Sequence, residues 1–327
     1  MSEFVRPNPE SIILHGGKTG DRWRVLDKLA EGGQARVHYA EHVDAVGVPV
    51  VAKLPHDPTS ARFKTEAEIH QRLQSPYVID LHDFKSGGEN PYMILERAEK
   101  DLVIDVFEGG MSDPSVLSAV NRMCRSIEWA HENEIAVKDI KRANFRRTPH
   151  DTIKLTDFGI AAPFGYVDPA GPIGSPISMA PEHFEEGSNG MGTPESDLYS
   201  LALVLWESAT GFSPYGGLTN AQIAHEKQAS FLRPYSDFLG VKATAQDRAA
   251  AEVIFEGTQR NPADRQKSVG HMRRQLNKAV RDAKDTMHID LGGLKAPKSK
   301  AIAVFLNEVQ GVAEDRTYDE GFERGNV

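Results

Sequence analysis

The feature that most constrains this 327-residue chain is a change of hydrophobic periodicity near Leu95. From Trp23 to Leu95 the pattern is mostly strand-like. Val37 and Tyr39 alternate with polar residues, Val48 to Leu54 is a run rich in β-branched residues, and Tyr92 to Leu95 is another short apolar run. One helix interrupts them, over about Thr59 to Leu73, with Phe63, Ala67 and His70 at helical spacing. After Leu95 the spacing turns helical. Asp113-Pro114 reads as a cap followed by proline in the first turn. Val116, Leu117, Val120, Met123, Cys124 and Ile127 then mark one buried face. A further apolar helix runs from about Glu195 to Ala209 and is closed by Gly211. Strands first and helices second predict an α+β molecule with a small sheet-rich lobe, a larger helical lobe and a ligand cleft at their junction.

Residues 1–21 read as a lead-in, with several prolines and a Gly16-Gly17 pair, and residues 280–327 as a tail. Between them lies one domain, 22–279, its sheet-rich lobe at about 22–95 and its helical lobe at about 99–279. The tail holds an amphipathic piece, Ile302 to Val309, expected to dock on the domain or to bind a partner. A net charge of −9 argues against a general nucleic-acid binder, because phosphate backbones reward a basic surface. Cys124 is the only cysteine, which excludes an intrachain disulfide and fits a reducing compartment; it reads as a small buried hydrophobe. The run Leu201 to Trp206 is far too short to cross a bilayer, and the first ten residues lack a signal-peptide layout. A cytoplasmic protein without membrane insertion is expected.

The chemistry begins with Asp157-Phe158-Gly159. The preceding Ile153 to Thr156 alternates like a strand, so Asp157 falls at a strand end, where a carboxylate suits a hard cation bridging phosphate oxygens. Upstream, in the loop from Val137 to Asn144, Asp139 can accept the proton of an attacking hydroxyl and Asn144 can hold a second metal through its amide oxygen. Lys141 can neutralise charge on a transferring phosphoryl group. Lys53 ends a strand run, and Glu66 follows on the inward face of the next helix, at i+3 from Phe63 and i−4 from His70. A carboxylate there needs a cation, because burying it alone is costly, and Lys53 is the candidate. Before them, Ala30 to Val37 forms a small-residue turn whose backbone could close over phosphates. Singly, these pieces read as well as a solvated ion pair, an ordinary hairpin and a turn. Their order and spacing together make chance agreement improbable.

In that order they resemble the eukaryotic-like (Hanks-type) serine/threonine protein kinase family, over about residues 22–279. Gly174 to Glu182 resembles the end of a kinase activation segment. Ser196 to Leu201 resembles the start of the central helix of the helical lobe, with Asp197 as its acid. Asn261 to Arg265 resembles the late motif whose arginine pairs with Glu182. Lys141 and Gly174-Ser175-Pro176 resemble the Ser/Thr branch, with Ser175 expected to hydrogen-bond near Asp139. The resemblance implies transfer of the γ-phosphoryl of ATP, with magnesium or manganese, to serine and threonine hydroxyls of protein substrates that the sequence does not identify. It implies Asp139, Lys141, Lys53 and Glu66 as catalytic residues, and Asn144 and Asp157 as metal ligands. It places Leu29, Ala30, Gly32, Gly33, Ala35, Val37, Val51, Lys53 and Arg146 around the nucleotide, with backbone groups at Glu96 and Ala98 holding adenine.

Several positions depart from the family pattern. Ala30 and Ala35 stand where the family has glycines, with Gly33 added beside Gly32; if those positions need φ > 0, alanine costs about 1 kcal/mol at each. Val51 replaces the usual alanine against adenine. Val137-Lys138-Asp139 replaces His-Arg-Asp, and Lys138 lacks the fork that grips a phosphorylated activation segment. No threonine lies between Asp157 and Glu182, where the hydroxyls are Tyr166, Ser175 and Ser178, so activation by loop phosphorylation is not expected. Arg146 stands where a leucine usually floors the adenine site; it either lays its guanidinium on the purine or swings out. His70, at a usually apolar position, reads as a satisfied core histidine. These departures motivate a second reading, a pseudokinase acting as a nucleotide-binding or scaffold module. A small-molecule kinase is disfavoured by Met179-Ala-Pro-Glu182 and Asp197 to Leu201.

Overall fold

Alternation along the strands divides the small lobe into two faces. The computed structural model describes residues 12–286 except 46, 99, 102–106, 170, 172, 189 and 231. Strands β1 (Ile13–Leu14), β2 (Trp23–Glu31), β3 (Ala35–His42), β4 (Val50–Pro55), β5 (Leu81–Lys85) and β6 (Tyr92–Glu96) form one antiparallel sheet in the order β1-β2-β3-β4-β6-β5. Val50 and Ala52 of β4 pack with Trp23, Val25, Tyr92 and Ile94 on one face. Val51 belongs to the other face, against Phe63 and Ala67 of helix α1 (Ala61–Arg72). The period of two along β4 puts Lys53 on that second face, toward α1. Ser60 caps α1 by accepting from the Phe63 N–H, and Phe63, Glu66, Ala67, Ile69 and His70 are its buried residues.

Two sequence expectations need correction here. The lead-in is not separate from the domain: Leu14 is buried and pairs with Trp23. The Thr19 N–H, the Trp23 indole N–H and the Tyr92 hydroxyl all donate to buried Asp83. A two-residue strand is too short to show periodicity in sequence. The run read from Val48 starts as a strand only at Val50, and Val48 stands exposed beside a glycine.

In the large lobe, α2 (Pro114–Glu132) begins where Asp113 accepts from the Ser115 N–H, with Pro114 in its first turn. Its Val116, Val120, Met123, Cys124 and Ile127 are buried, and Leu117 packs at the margin. Burial of Cys124 pushes its thiol up to about 12, so it is an inert packing residue. Strands β8 (Ile135–Ala136), β9 (Phe145–Arg147) and β10 (Ile153–Leu155) follow, with β9 between β10 and β7 (Lys100–Asp101) and β8 paired with β11 (Ala162–Pro163). Helix α3 (Pro194–Thr210) runs through the core, opened by a Thr193/Ser196 capping box and closed by Gly211 at φ 83°. Helices α4 (Asn220–Ala229), α5 (Ser236–Leu239), α6 (Ala245–Gly257) and α7 (Val269–Thr286) complete the lobe. Trp206, Tyr235, Ile254 and Leu276 share one core cluster with the buried face of α2. The lobes are joined at the cleft by Lys154, whose ammonium lies 2.9 Å from Asp80 and 2.7 Å from Glu96. The expected amphipathic piece, Ile302 to Val309, lies outside the described residues.

Candidate active site

Three charged groups from three elements meet at the cleft. Lys53 Nζ lies 2.5 Å from Glu66 Oε1 and 3.2 Å from Asp157 Oδ1. Burial opposes the Lys53 charge, but the two carboxylates outweigh it and hold the ammonium above the usual lysine range. Burial pushes the Glu66 carboxyl up while Lys53 works against the push. Asp157 also suffers from burial, but Lys53 and the Gly159 N–H keep its carboxyl below the usual range. Asp157 takes φ 67°, a left-handed backbone that costs a non-glycine residue about 1 kcal/mol or more. That turn brings its carboxylate back toward Lys53, although the residue ends a strand.

The catalytic-loop group sits opposite. Asp197, buried at the start of α3, accepts from the N–H groups of Val137 (2.7 Å) and Lys138 (2.9 Å) and lies 2.9 Å from His131 Nε2. This anchor fixes the loop on which Lys138 takes φ 66° and Asp139 projects toward the cleft. Lys141 Nζ donates to Asp139 Oδ2 at 2.6 Å, and the Asn144 amide donates to the Asp139 carbonyl at 2.8 Å. Asp139 Oδ1 is buried without a hydrogen-bond donor among the described residues. An unmatched buried acceptor costs about 1–3 kcal/mol, so the site is short of one donor there. Ser175, expected to bond near Asp139, makes no hydrogen bond to it among the described residues; its carbonyl accepts from the Ser178 N–H and hydroxyl.

The remaining expected residues line one cleft of about 640 Å³: Leu29, Ala30, Gly32, Gly33, Ala35, Val37, Val51, Lys53, Glu66, Glu96, Ala98, Asp139, Asn144, Arg146 and Asp157. Lys141 touches it through Asp139. Neither Ala30 nor Ala35 has a positive φ, so alanine carries no backbone penalty at either position. The Glu96 N–H is taken by the Asp80 carbonyl at 2.8 Å, whereas the Ala98 N–H has no partner among the described residues. Arg146 is half-buried on β9, in register with Lys154. His70 is satisfied, with Nε2 2.7 Å from the Ile79 carbonyl and its ring edge-on to Phe158 at 5.1 Å.

The donor set suits a hard cation. Asp157 Oδ2 and the Asn144 amide oxygen accept from no described group, and both residues line the cleft. No cluster of three or more His, Cys, Asp or Glu side chains stands ready for a metal among the described residues.

Below the cleft, the Arg265 guanidinium holds Glu182 with two bonds of 2.8 Å. The sequence reading missed three contributors, each long-range in sequence. Asp168 meets Arg62. Asp83 gathers the lead-in onto the sheet. Lys227 of α4 is buried and donates to the carbonyls of Ile177 and Met179, both at 2.6 Å.

The protein kinase domain family matches residues 23–275, and the chain belongs to that family. It is 27% identical over 272 residues to the serine/threonine-protein kinase PknB of Mycobacterium leprae (strain TN), a match covering 78% of this chain and 42% of that protein. It is 30% identical over 271 residues to the serine/threonine-protein kinase PknH of Mycobacterium bovis (strain ATCC BAA-935 / AF2122/97), covering 78% and 43% respectively. The chain spans less than half the length of either relative.

Proposed function

We propose that this chain is an ATP- and magnesium-dependent protein kinase that phosphorylates serine and threonine hydroxyls of proteins. The observation that carries the reading is the meeting, across one cleft, of the Lys53–Glu66–Asp157 triangle with the Asp139–Lys141–Asn144 group. Lys53, held by Glu66, anchors the α- and β-phosphates. Asn144 and Asp157 would hold magnesium, or manganese in its place, and the metal would supply positive charge that offsets the phosphate charge. The Asp139 carboxylate, which lines the cleft, receives the hydroxyl of the incoming serine or threonine and takes its proton as the hydroxyl oxygen bonds to the γ-phosphorus and the bond from that phosphorus to the β-phosphate oxygen breaks, releasing ADP. Lys141 stays on Asp139 Oδ2, beside the transferring phosphoryl group.

The Ser/Thr preference rests on Lys141 and on the names of the relatives, both called serine/threonine-protein kinases. The cytoplasm suits the reading, because ATP and magnesium are held there and lone Cys124 stays reduced. No helix among the described residues is long and apolar enough to cross a membrane. The test compares Asp139→Asn with Asp157→Asn. Both should lose phosphoryl transfer by about 10²-fold or more, while only Asp157→Asn should lose the magnesium-dependent rise of melting temperature with ATP. Equal transfer by wild type and Asp139→Asn would overturn the role given to Asp139.

A further inference from the structure

The segment between Asp157 and Glu182 carries an inversion of polarity. Tyr166 and Val167 are each 47% exposed, yet the next side chain, Asp168, is only 13% exposed. Solvation alone would turn the acid outward and the valine inward. A cation in contact favours the reversal. Arg62 Nη2 lies 3.4 Å from Asp168 Oδ2; burial works against the charge of half-buried Lys138, and the Asp168 carboxylate works for it.

The Lys138 backbone is fixed by Asp197, and its stem runs so close to Gly192 that a Cβ there would come 2.5 Å from Lys138 Cγ. Arg62 belongs to the first turn of α1, where a positive charge opposes the helix dipole and no first-turn acid offsets it. A carboxylate arriving from another segment corrects that defect. Arg62 is also one turn before Glu66, so a pull on Arg62 acts on the helix that delivers Glu66 to Lys53.

Segments of this kind are commonly ordered by phosphate added opposite basic side chains, which creates new ion pairs. We propose that Asp168 takes the place of that phosphate, a fixed carboxylate tying the activation segment to α1 through Arg62. The Lys53–Glu66 pair is then set without phosphorylation of the segment. Asp168 is a positioning residue in this scheme, and the scheme rests on the kinase reading above. Because Arg62 is partly exposed, the tie is open to screening by salt.

The experiment uses the full chain, treated with phosphatase and checked by mass spectrometry for a segment free of phosphate. Transfer to a protein substrate is measured at low and high salt for wild type, Asp168→Asn and Asp168→Glu, with hydrogen exchange of the α1 amides as a second readout. Phosphatase treatment should leave wild-type turnover unchanged. Asp168→Asn should lower kcat about tenfold, remove most of the salt sensitivity and speed α1 exchange, because about 1.4 kcal/mol of bias toward the set state is lost. Asp168→Glu should retain most of the activity. Loss of activity on phosphatase treatment, or an Asp168→Asn protein equal to wild type in turnover and α1 exchange, would overturn the proposal. A wild type that transfers nothing would sink the kinase reading instead, and the exchange comparison would still decide the role of Asp168.

Discussion

Replacing His70 by leucine should remove much of the acid sensitivity of folding. The imidazole is buried in α1, edge-on to Phe158, and its Nε2 meets the Ile79 carbonyl. Burial pulls its pKa from 6.5 to about 4, assisted by Lys53 and opposed by the Ile79 carbonyl, Asp157 and Asp80. The unfolded chain therefore takes up this proton near pH 6.5 and the folded chain only near pH 4. The contribution of neutral His70 is complete above 6.5 and is lost as pH falls toward 4. The full loss is about 3 kcal/mol, and about 2 kcal/mol of it is spent by about pH 5, against a total stability of about 5–15 kcal/mol. Leucine loses the bond to Ile79 at every pH, at a cost of about 1 kcal/mol. The variant should be the weaker protein at neutral pH and the stronger one in acid, with the curves crossing between about pH 6 and pH 5. Urea denaturation across that range at constant ionic strength measures both curves. Parallel curves would refute the assignment of a neutral, buried His70.

Lys53→Met strands Glu66 in the interior and should cost about 3–5 kcal/mol, whereas Lys53→Met with Glu66→Leu should recover most of it; denaturant midpoints decide. Glu182→Gln leaves the Arg265 guanidinium, whose side chain has no exposure, without its anion, and should lower stability by a comparable amount in the same assay. Lys227→Met removes the two donors that hold the carbonyls of Ile177 and Met179. It should raise KM for a protein substrate about tenfold, at about 1.4 kcal/mol, while KM for ATP stays unchanged in steady-state kinetics.

The parts legible in sequence were those carried by residues in fixed chain order. Lys53 and Glu66 meet because a strand end and an amphipathic helix face can be read from spacing, and so can the strand that ends at Leu155, two residues before Asp157. Burial of Cys124 and His70 likewise followed from helical periodicity. The alanines of the glycine loop posed a conditional question that needed backbone angles to answer. Contacts across long separations left no periodic trace. Arg62 and Asp168 are 106 residues apart, and each alone looks like an ordinary surface charge. Lys227 lies on a short helix with little apolar patterning, so nothing in its neighbours announced burial. Ser175 went the other way: its place in the motif implied a bond to Asp139, but among the described residues its carbonyl closes a local turn with Ser178 and no bond to Asp139 forms.

The central claim is most directly tested by following γ-labelled phosphate from ATP, in the presence of magnesium, onto a protein substrate, with Asp157→Asn run beside wild type. The account predicts label on serine or threonine that is lost in the Asp157→Asn protein. A folded wild type whose melting temperature rises with ATP and magnesium, yet which places no label on either residue, would contradict it.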